Sequence, residues 1–169
     1  MAYLKTTLIA LLAVVLLKSC SVSMTMSGAS IPENIQSFSV QYFDNRAPLI
    51  NPTLSQEMTE GLKDRVTNES RLKLDANTGD VDFSGQITNY NVRPMAIQAD
   101  ALSAETRLTM TVKVRYKNYK DPKANWESSF SAFRDFESSQ NINAVEADLT
   151  KEMIEEITEN IFNKAFADW

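Results

Sequence analysis

The sequence predicts an α+β fold, a two-layer sandwich in which two helices cover one face of a mostly antiparallel four-stranded sheet. Two patterns predict it. Four segments alternate apolar and polar residues, as half-buried strands do, and two segments repeat apolar residues at every fourth position, as amphipathic helices do. The predicted order is strand, helix, three or four strands, helix. Because no repeat or composition break divides the 169 residues, we expect one folded domain.

The first part of the domain contains one strand and one helix. Residues 37–42 alternate, and the apolar face of this strand consists of Phe38, Val40 and Tyr42. Asn51 can then cap a helix that has Pro52 in its first position, where the missing N–H costs nothing. The helix is expected to end near Ser70. Its apolar stripe comprises Leu54, Met58, Leu62 and Val66.

Period-two alternation dominates the centre of the chain. Residues 71–75 can form a short strand, and longer strands are predicted at residues 81–94, 105–119 and 126–136. The turn residues Asp121-Pro122 make the last two a hairpin. Three apolar faces follow from the alternation: Val81, Phe83, Gly85 and Ile87; Leu108, Met110, Val112, Val114 and Tyr116; Trp126, Phe130 and Phe136.

The period becomes helical from Ala144 onward. The apolar stripe of this second helix comprises Leu149, Met153, Ile157 and Ile161, and acidic residues and Lys151 occupy much of the remaining surface. The aromatic residues at the C-terminus, Phe162, Phe166 and Trp169, are interpreted as packing residues rather than as a binding site.

The N-terminus carries an export signal. Lys5 precedes an apolar run at residues 8–17 that is too short to span a bilayer of about 30 Å. The sequence Leu17-Lys18-Ser19-Cys20 looks like a lipobox, in which Cys20 receives the lipid, although Lys18 departs from the usual pattern. The predicted organisation is a signal peptide at residues 1–19, a lipid-anchored tether at residues 20–31 and the domain at residues 32–169. The alternative is an ordinary secretion signal with an incidental Cys20.

Composition excludes several classes of function. The formal charge is −5, or −7 once Lys5 and Lys18 are removed, which argues against binding nucleic acid through its phosphates. The chain has no histidine and only four glycines, so the common catalytic pairs, imidazole metal ligands and phosphate-binding loops are absent. Two carboxylate pairs, Asp80 with Asp82 and Glu155 with Glu156, are expected on solvated surfaces. We therefore expect a protein that is not an enzyme and needs no cofactor or metal.

The polar side of the long strand carries a ladder of basic residues, which is unusual in an acidic protein. Its members are Arg107, Lys113, Arg115 and Lys117. Such a ladder can bind phosphate groups, because arginine makes bidentate contacts with them and lysine provides a point charge. Two simpler interpretations stay open: a solvated face, or pairing with Glu127, Asp135 and Glu137 on the neighbouring strand.

The connection at residues 94–104 is more apolar than a solvated turn requires. Exposed apolar loops often contact a partner, and the candidates here are Met95, Ile97 and Leu102. Alternatively, Ile97 and Leu102 fold back over the edge of the sheet.

Taken in order, these pieces resemble the LptE family of lipopolysaccharide-assembly lipoproteins, in the form found in Bacteroidetes. Besides Cys20 and the order of elements, the resemblance rests on three segments. They are Gly85-Gln86-Ile87-Thr88-Asn89-Tyr90-Asn91-Val92-Arg93-Pro94, Arg107-Leu108-Thr109-Met110-Thr111-Val112-Lys113-Val114 and Ile161-Phe162-Asn163-Lys164-Ala165-Phe166. The likeness covers nearly the whole mature chain.

The resemblance implies an outer-membrane lipoprotein on the periplasmic face. Proteins of this family plug the lumen of the β-barrel LptD, help it to assemble and bind lipopolysaccharide on its way to the outer leaflet. The basic ladder would then contact lipid A phosphates or acidic core sugars, and the loop at residues 94–104 would contact the barrel. Two other functions stay open: an accessory or pilot lipoprotein of another secretion or glycan-export complex, and a hydrolase using Asp80 or Asp82 with a raised pKa.

Overall fold

The computed structural model describes residues 31–49, 51–95 and 104–167 and confirms the α+β sandwich. Its elements are β1 (Ser37–Val40), β2 (Asp44–Asn45), α1 (Leu54–Glu69), β3 (Lys73–Leu74), β4 (Val81–Pro94), β5 (Glu105–Asn118), β6 (Trp126–Glu137) and α2 (Ile142–Phe166). A short 3₁₀ turn at Pro122–Ala124 joins β5 to β6. Neither helix in these described ranges is long and apolar enough to cross a bilayer.

Within the described residues the sheet has six strands rather than the predicted four. Its order is β3-β1-β4-β5-β6, and β2 pairs with β4 beyond the end of β1. The long strands β4, β5 and β6 are antiparallel, whereas β1, β2 and β3 pair in parallel. Of the two extra strands, β3 lies within residues 71–75, where the sequence allowed a short strand, whereas β2 has only two residues, too few to produce a readable alternation.

The first strand is shorter than the alternation at residues 37–42 predicts. Phe38 and Val40 are buried as expected, but β1 ends at Val40, and Tyr42 is 61% exposed. Phe43 is buried in its place, and its amide donates a hydrogen bond to the Thr59 hydroxyl of α1 at 3.1 Å. Because the chain leaves the ladder between β1 and β2, the period of two does not continue through Tyr42.

Helix α1 begins two residues later than predicted. The Asn51 carboxamide accepts from the Thr53 amide at 3.1 Å, so it closes a turn ahead of the helix instead of capping it. The predicted stripe is confirmed, since Leu54, Met58, Leu62 and Val66 are fully buried.

A β-bulge interrupts β4. Ile87 lies opposite Val112, while Asn89 lies opposite Thr111, so Thr88 is an extra residue without a counterpart on β5. From this point the inward-facing positions of β4 change from odd to even numbers. The predicted inward residues Val81, Phe83 and Ile87 are buried, and Tyr90 joins them because of the bulge.

The hairpin of β5 and β6 and the C-terminal helix follow the sequence pattern closely. All five apolar residues predicted for β5 are buried, and Trp126, Phe130 and Phe136 of β6 pack against the same core. Helix α2 adds Met153, Ile157 and Ile161 to this core. Phe162 and Phe166 are also buried, which confirms their role in packing, whereas Trp169 lies outside the described residues.

Candidate functional site

The core sits between the helices and one face of the sheet, and neither α1 nor α2 covers the opposite face of β4, β5 and β6. We call it the outer face. Its side chains are polar almost throughout: Ser84, Gln86, Asn89, Asn91 and Arg93 from β4; Glu105, Arg107, Thr109, Thr111, Lys113, Arg115 and Lys117 from β5; Glu127, Ser129, Ser131, Phe133, Asp135 and Glu137 from β6. The predicted basic ladder therefore runs along the central strand of this face.

Two members of the ladder share one carboxylate. The Lys113 ammonium lies 2.6 Å from Glu127, and the Arg115 guanidinium donates to the same carboxylate at 2.9 Å. These hydrogen bonds lower the pKa of Glu127 below its usual value, the one from Lys113 contributing most. All three side chains are well exposed, so water screens the attraction, and one positive charge remains in excess.

Arg107 combines an ion pair with an aromatic contact. Its guanidinium donates two hydrogen bonds of 2.7 Å to Asp135, which lowers the pKa of that carboxyl. It also lies 3.8 Å from the centre of the Phe133 ring, which is 49% exposed on an otherwise polar surface. The pairing of the ladder with Glu127 and Asp135 is the simpler arrangement that the sequence also allowed.

Two further cations of the outer face have no carboxylate partner among the described residues: Lys117, which the sequence identified, and Arg93, which it did not. Arg93 lies directly opposite Arg107 on the neighbouring strand. Two like charges in this position repel each other, and Asp135 pairs with only one of them. Simple alternation from Val81 would turn Arg93 toward the core, and only the bulge at Thr88 turns it outward. The signal that could have located it is the change of the apolar positions from odd numbers up to Ile87 to even numbers at Tyr90 and Val92.

Of the remaining predicted site residues, the structure describes Met95 alone. Met95 follows β4 directly and is 37% exposed. Ile97 and Leu102, its predicted companions in contacting a barrel, lie outside the described residues, as does Cys20.

The acidic pairs show no catalytic arrangement. Asp80 accepts from the amides of Gln36 and Ser37 and pairs with Lys120 at 3.0 Å, and these contacts, led by the Gln36 amide, lower its pKa to about 2. Asp82 is buried rather than solvated, because Ser39 and Gln41 from the neighbouring chain segment donate to it. The hydrolase interpretation requires a carboxyl with a raised pKa, and the lowered pKa of Asp80 does not meet that requirement.

The second acidic pair, Glu155 with Glu156, shows no catalytic arrangement either. Glu156 is engaged by Arg134 at 2.7 Å, while Glu155 is exposed on α2. Across residues 31–49, 51–95 and 104–167, no cluster of acidic side chains could hold a metal ion. The chemistry that the outer face offers is the binding of anions and of ligands rich in hydroxyl groups.

Comparison with known proteins identifies a family. A family model described as LptE, lipopolysaccharide-assembly, matches residues 35–165. Curated protein sequences give no match.

Solved structures share the fold at low sequence identity. A minor lipoprotein from Acinetobacter baumannii superposes with a TM-score of 0.51 at 16% identity, covering 78% of this chain and 92% of that one. The hypothetical protein CT253 from Chlamydia trachomatis gives 0.55 at 12% identity, with coverage of 79% and 99%. Rare lipoprotein B from Shewanella oneidensis gives 0.50 at 14% identity, with coverage of 76% and 92%.

Proposed function

The chain belongs to the LptE family of lipopolysaccharide-assembly proteins, and from this premise we propose that it is the plug and assembly subunit of a β-barrel lipopolysaccharide translocon. In this role it is anchored through Cys20 on the periplasmic face of the outer membrane. It binds lipopolysaccharide as the lipid passes to the outer leaflet. It performs no chemical reaction.

The outer face supports the role of a plug. The lumen of a large outer-membrane barrel is polar, so a protein that fills it needs hydrophilic walls around an ordinary apolar core. The outer face supplies such a wall with its rows of hydroxyl, amide and charged groups, and Phe133 is the one large apolar side chain exposed among the β4, β5 and β6 residues of that face. The exposed sides of α1 and α2 are likewise rich in charge.

The observation that carries lipopolysaccharide binding is the pair Arg93 and Arg107. Arg93 on β4 opposes Arg107 on β5, and Asp135 on β6 pairs only with Arg107 from the other side, so an anion bound between the two guanidinium groups would relieve their repulsion. Lipid A phosphates have the charge and geometry to do so. Lys113, Arg115 and Lys117 extend the basic surface along β5 and would bind further anionic groups.

Binding by this pair can be tested with opposite substitutions in the purified lipoprotein. Arg93→Ala should weaken binding of lipid A about tenfold, since a charge-assisted contact is worth roughly 1.5 kcal/mol. Asp135→Asn should strengthen binding, because it releases Arg107. The control is Lys151→Ala, which removes an exposed cation from α2. Equal affinity of the Arg93→Ala variant and the wild type would refute this site.

The partner can be tested separately. The tagged lipoprotein, solubilised from outer membranes, should co-purify with an LptD-like barrel, whereas recovery of a different barrel would favour an accessory lipoprotein of another export complex. Met95, Ile97 and Leu102 are proposed to contact the barrel. Replacing Ile97 and Leu102 with Asp should therefore reduce recovery of the complex, and full recovery would exclude the loop as a contact.

A further inference from the structure

Strand β6 forms one edge of the sheet, and its backbone groups point alternately toward β5 and away from it. The Ser138 amide donates to the Ala104 carbonyl at 2.9 Å, in register with the β5–β6 ladder. Bonded and unbonded residues alternate along an antiparallel ladder, so the even-numbered residues of β6 bond to β5. The amides and carbonyls of Glu127, Ser129 and Ser131 therefore point away from the sheet.

The second half of this edge is blocked by a side chain. Arg134 donates from Nη1 to the Phe133 carbonyl at 2.8 Å, so it occupies an acceptor that points outward. Glu152 and Glu156 of α2 hold the same guanidinium, each at 2.7 Å. A strand that pairs with β6 can therefore reach only its first half.

The first half of the edge, from Trp126 to Ser131, is open. No described residue bonds to its outward backbone groups. Native proteins usually protect such an edge with a proline, a bulge or charged side chains. Neither proline nor bulge interrupts this half, and its one charge, on Glu127, is already paired with Lys113 and Arg115. It is therefore a template on which another strand can pair.

The open half is complementary to itself. When residues 126–130 are aligned antiparallel with the same residues of a second copy, about a two-fold axis at Ser128, Trp126 lies opposite Phe130 of that copy. Both rings are only half-buried in a single chain, and directly opposed aromatic pairs stabilise a sheet. Glu127 lies opposite Ser129, so no like charges oppose each other, and both residues direct their backbone groups outward as a bonded pair requires. A register about Ser129 would instead place both rings opposite small side chains.

The helices leave room for this pairing. Because α2 packs over β5 and β6, the α2 helices of two copies would lie about two strand spacings apart, roughly 10 Å, an ordinary distance between packed helices. Arg134 binds Glu152 and Glu156, and the Lys164 ammonium lies 5.5 Å from the Trp126 ring, so the last turns of α2 follow the open half of the edge. On the side of the helix that carries Glu156, these turns present Glu159, Asn160, Asn163 and Lys164. Their charges balance, so the two helices would not repel each other.

We propose that β6 pairs antiparallel with β6 of a second copy of this chain, about a two-fold axis at Ser128, so that the two sheets join at this edge. Because the axis is perpendicular to the sheet, the outer faces of both copies lie on the same side of the joined sheet. The paired segment is short, so the dimer is weak. This inference concerns the protein outside a barrel and does not depend on the proposed transport function.

Sedimentation of the purified lipoprotein, in detergent with micelles in excess, tests the pairing. The wild type should form dimers at about 0.1 mM protein, as expected of a small interface. Ser129→Pro should weaken dimerisation about tenfold or more, because it removes an outward amide and leaves the bonds to β5 intact. Ser129→Ala keeps that amide and is the matched control, which should dimerise like the wild type. Urea unfolding of both variants checks that each chain stays folded.

Disulfide formation tests the register independently. Opposite residues of an unbonded antiparallel pair have Cα atoms about 4.5 Å apart, a distance that a disulfide can span. Ser128→Cys, in a chain that carries Cys20→Ser and therefore no other thiol, should give a covalent dimer under mild oxidation. Ser131→Cys in the same chain is the control and should stay monomeric, because the two positions would lie far apart in the dimer.

Three results would overturn the proposal. The first is a wild type that stays monomeric at about 1 mM protein. The second is a dimer that Ser129→Pro leaves unchanged, or in which Ser128→Cys forms no disulfide. The third is protection of the Ser129 amide from hydrogen exchange that appears only with a co-purified barrel and not with rising protein concentration, which would assign the edge to a partner's strand.

Discussion

At the scale of single residues, a few polar side chains join segments that are far apart in the sequence. Asp80 connects the start of β1 to the turn after β5 by accepting from two amides and pairing with Lys120. Tyr90 connects β4 to α2: its hydroxyl donates to Glu146 and lies 2.8 Å from the Thr150 hydroxyl. Each of these side chains therefore stabilises contacts that only tertiary structure creates.

Asp80→Asn should destabilise the protein in a pH-dependent way. The pKa of Asp80 is about 2 in the folded protein and about 3.9 when unfolded, so its charge favours folding above pH 4, and this contribution is lost as the pH falls through 2. After allowance for solvent screening, we expect a loss of about 1–2 kcal/mol at pH 7. Urea unfolding at pH 7 and pH 2 measures it. A difference between variant and wild type that persists undiminished at pH 2 would contradict the assignment.

Tyr90→Phe should destabilise the protein by about 1–2 kcal/mol while leaving the fold intact. The ring is fully buried, and losing the hydroxyl leaves Thr150 and Glu146 without a partner in that position. Burial is also the main reason that the pKa of Tyr90 is raised to about 12. Thermal unfolding of the variant measures the loss. The exposed Tyr119→Phe serves as a control and should have no effect.

At the scale of elements, the bulge in β4 decides which side chains reach the outer face. Thr88 is the extra residue, and after it Tyr90 turns inward and Arg93 outward. The bulge leaves only a change of phase in the sequence, with apolar residues at odd positions in residues 81–87 and at even positions in residues 89–94, and alternation continued from Val81 misses it. The same limit applies to Tyr42 and Phe43, where the chain leaves the ladder between two short strands.

Two single-residue deletions test the bulge. Deleting Thr88 should cost only about 1 kcal/mol, because Ile87 and Asn89 then become consecutive in a regular ladder and every later side chain keeps its face. Deleting Asn91 should cost several kcal/mol or abolish folding, because it forces Arg93 or an asparagine into the core. Far-UV circular dichroism with urea unfolding compares them. Similar losses for the two deletions would mean that Thr88 does not act as a removable bulge residue.

At the scale of the whole molecule, the inner face of the sheet packs against the helices and stabilises the fold, while the outer face is available for binding. The helices and the inner side of the sheet enclose a single core, whereas the outer face carries the basic ladder with partial neutralisation by Glu127 and Asp135. A protein with an excess of acidic residues thus concentrates cations on one strand of one surface. Anchoring by lipid at Cys20 would keep that surface at the membrane.

Cys20→Ser should release the protein from the membrane. Without the thiol no lipid can be attached, and several acyl chains are what makes anchoring persistent, at roughly 0.8 kcal/mol per buried CH₂. Fractionation after a urea wash, which also removes proteins held by partners alone, measures the effect. Ser21→Ala is the control and should stay in the membrane fraction. A Cys20→Ser variant that remains there would show that the cysteine is incidental.

The sequence by itself determined the fold class, the two helices, the long strands and the basic ladder, because burial of one face leaves a period of two or four in the amino acids. Its family resemblance is confirmed by the match over residues 35–165. Tertiary structure decided the parallel pairing of β2 and β3, the bulge that turns Arg93 outward and the pairing of the ladder with Glu127 and Asp135. Strand register brings together residues distant in the chain and leaves no periodic trace in it, and the bulge leaves only a change of phase between Ile87 and Tyr90.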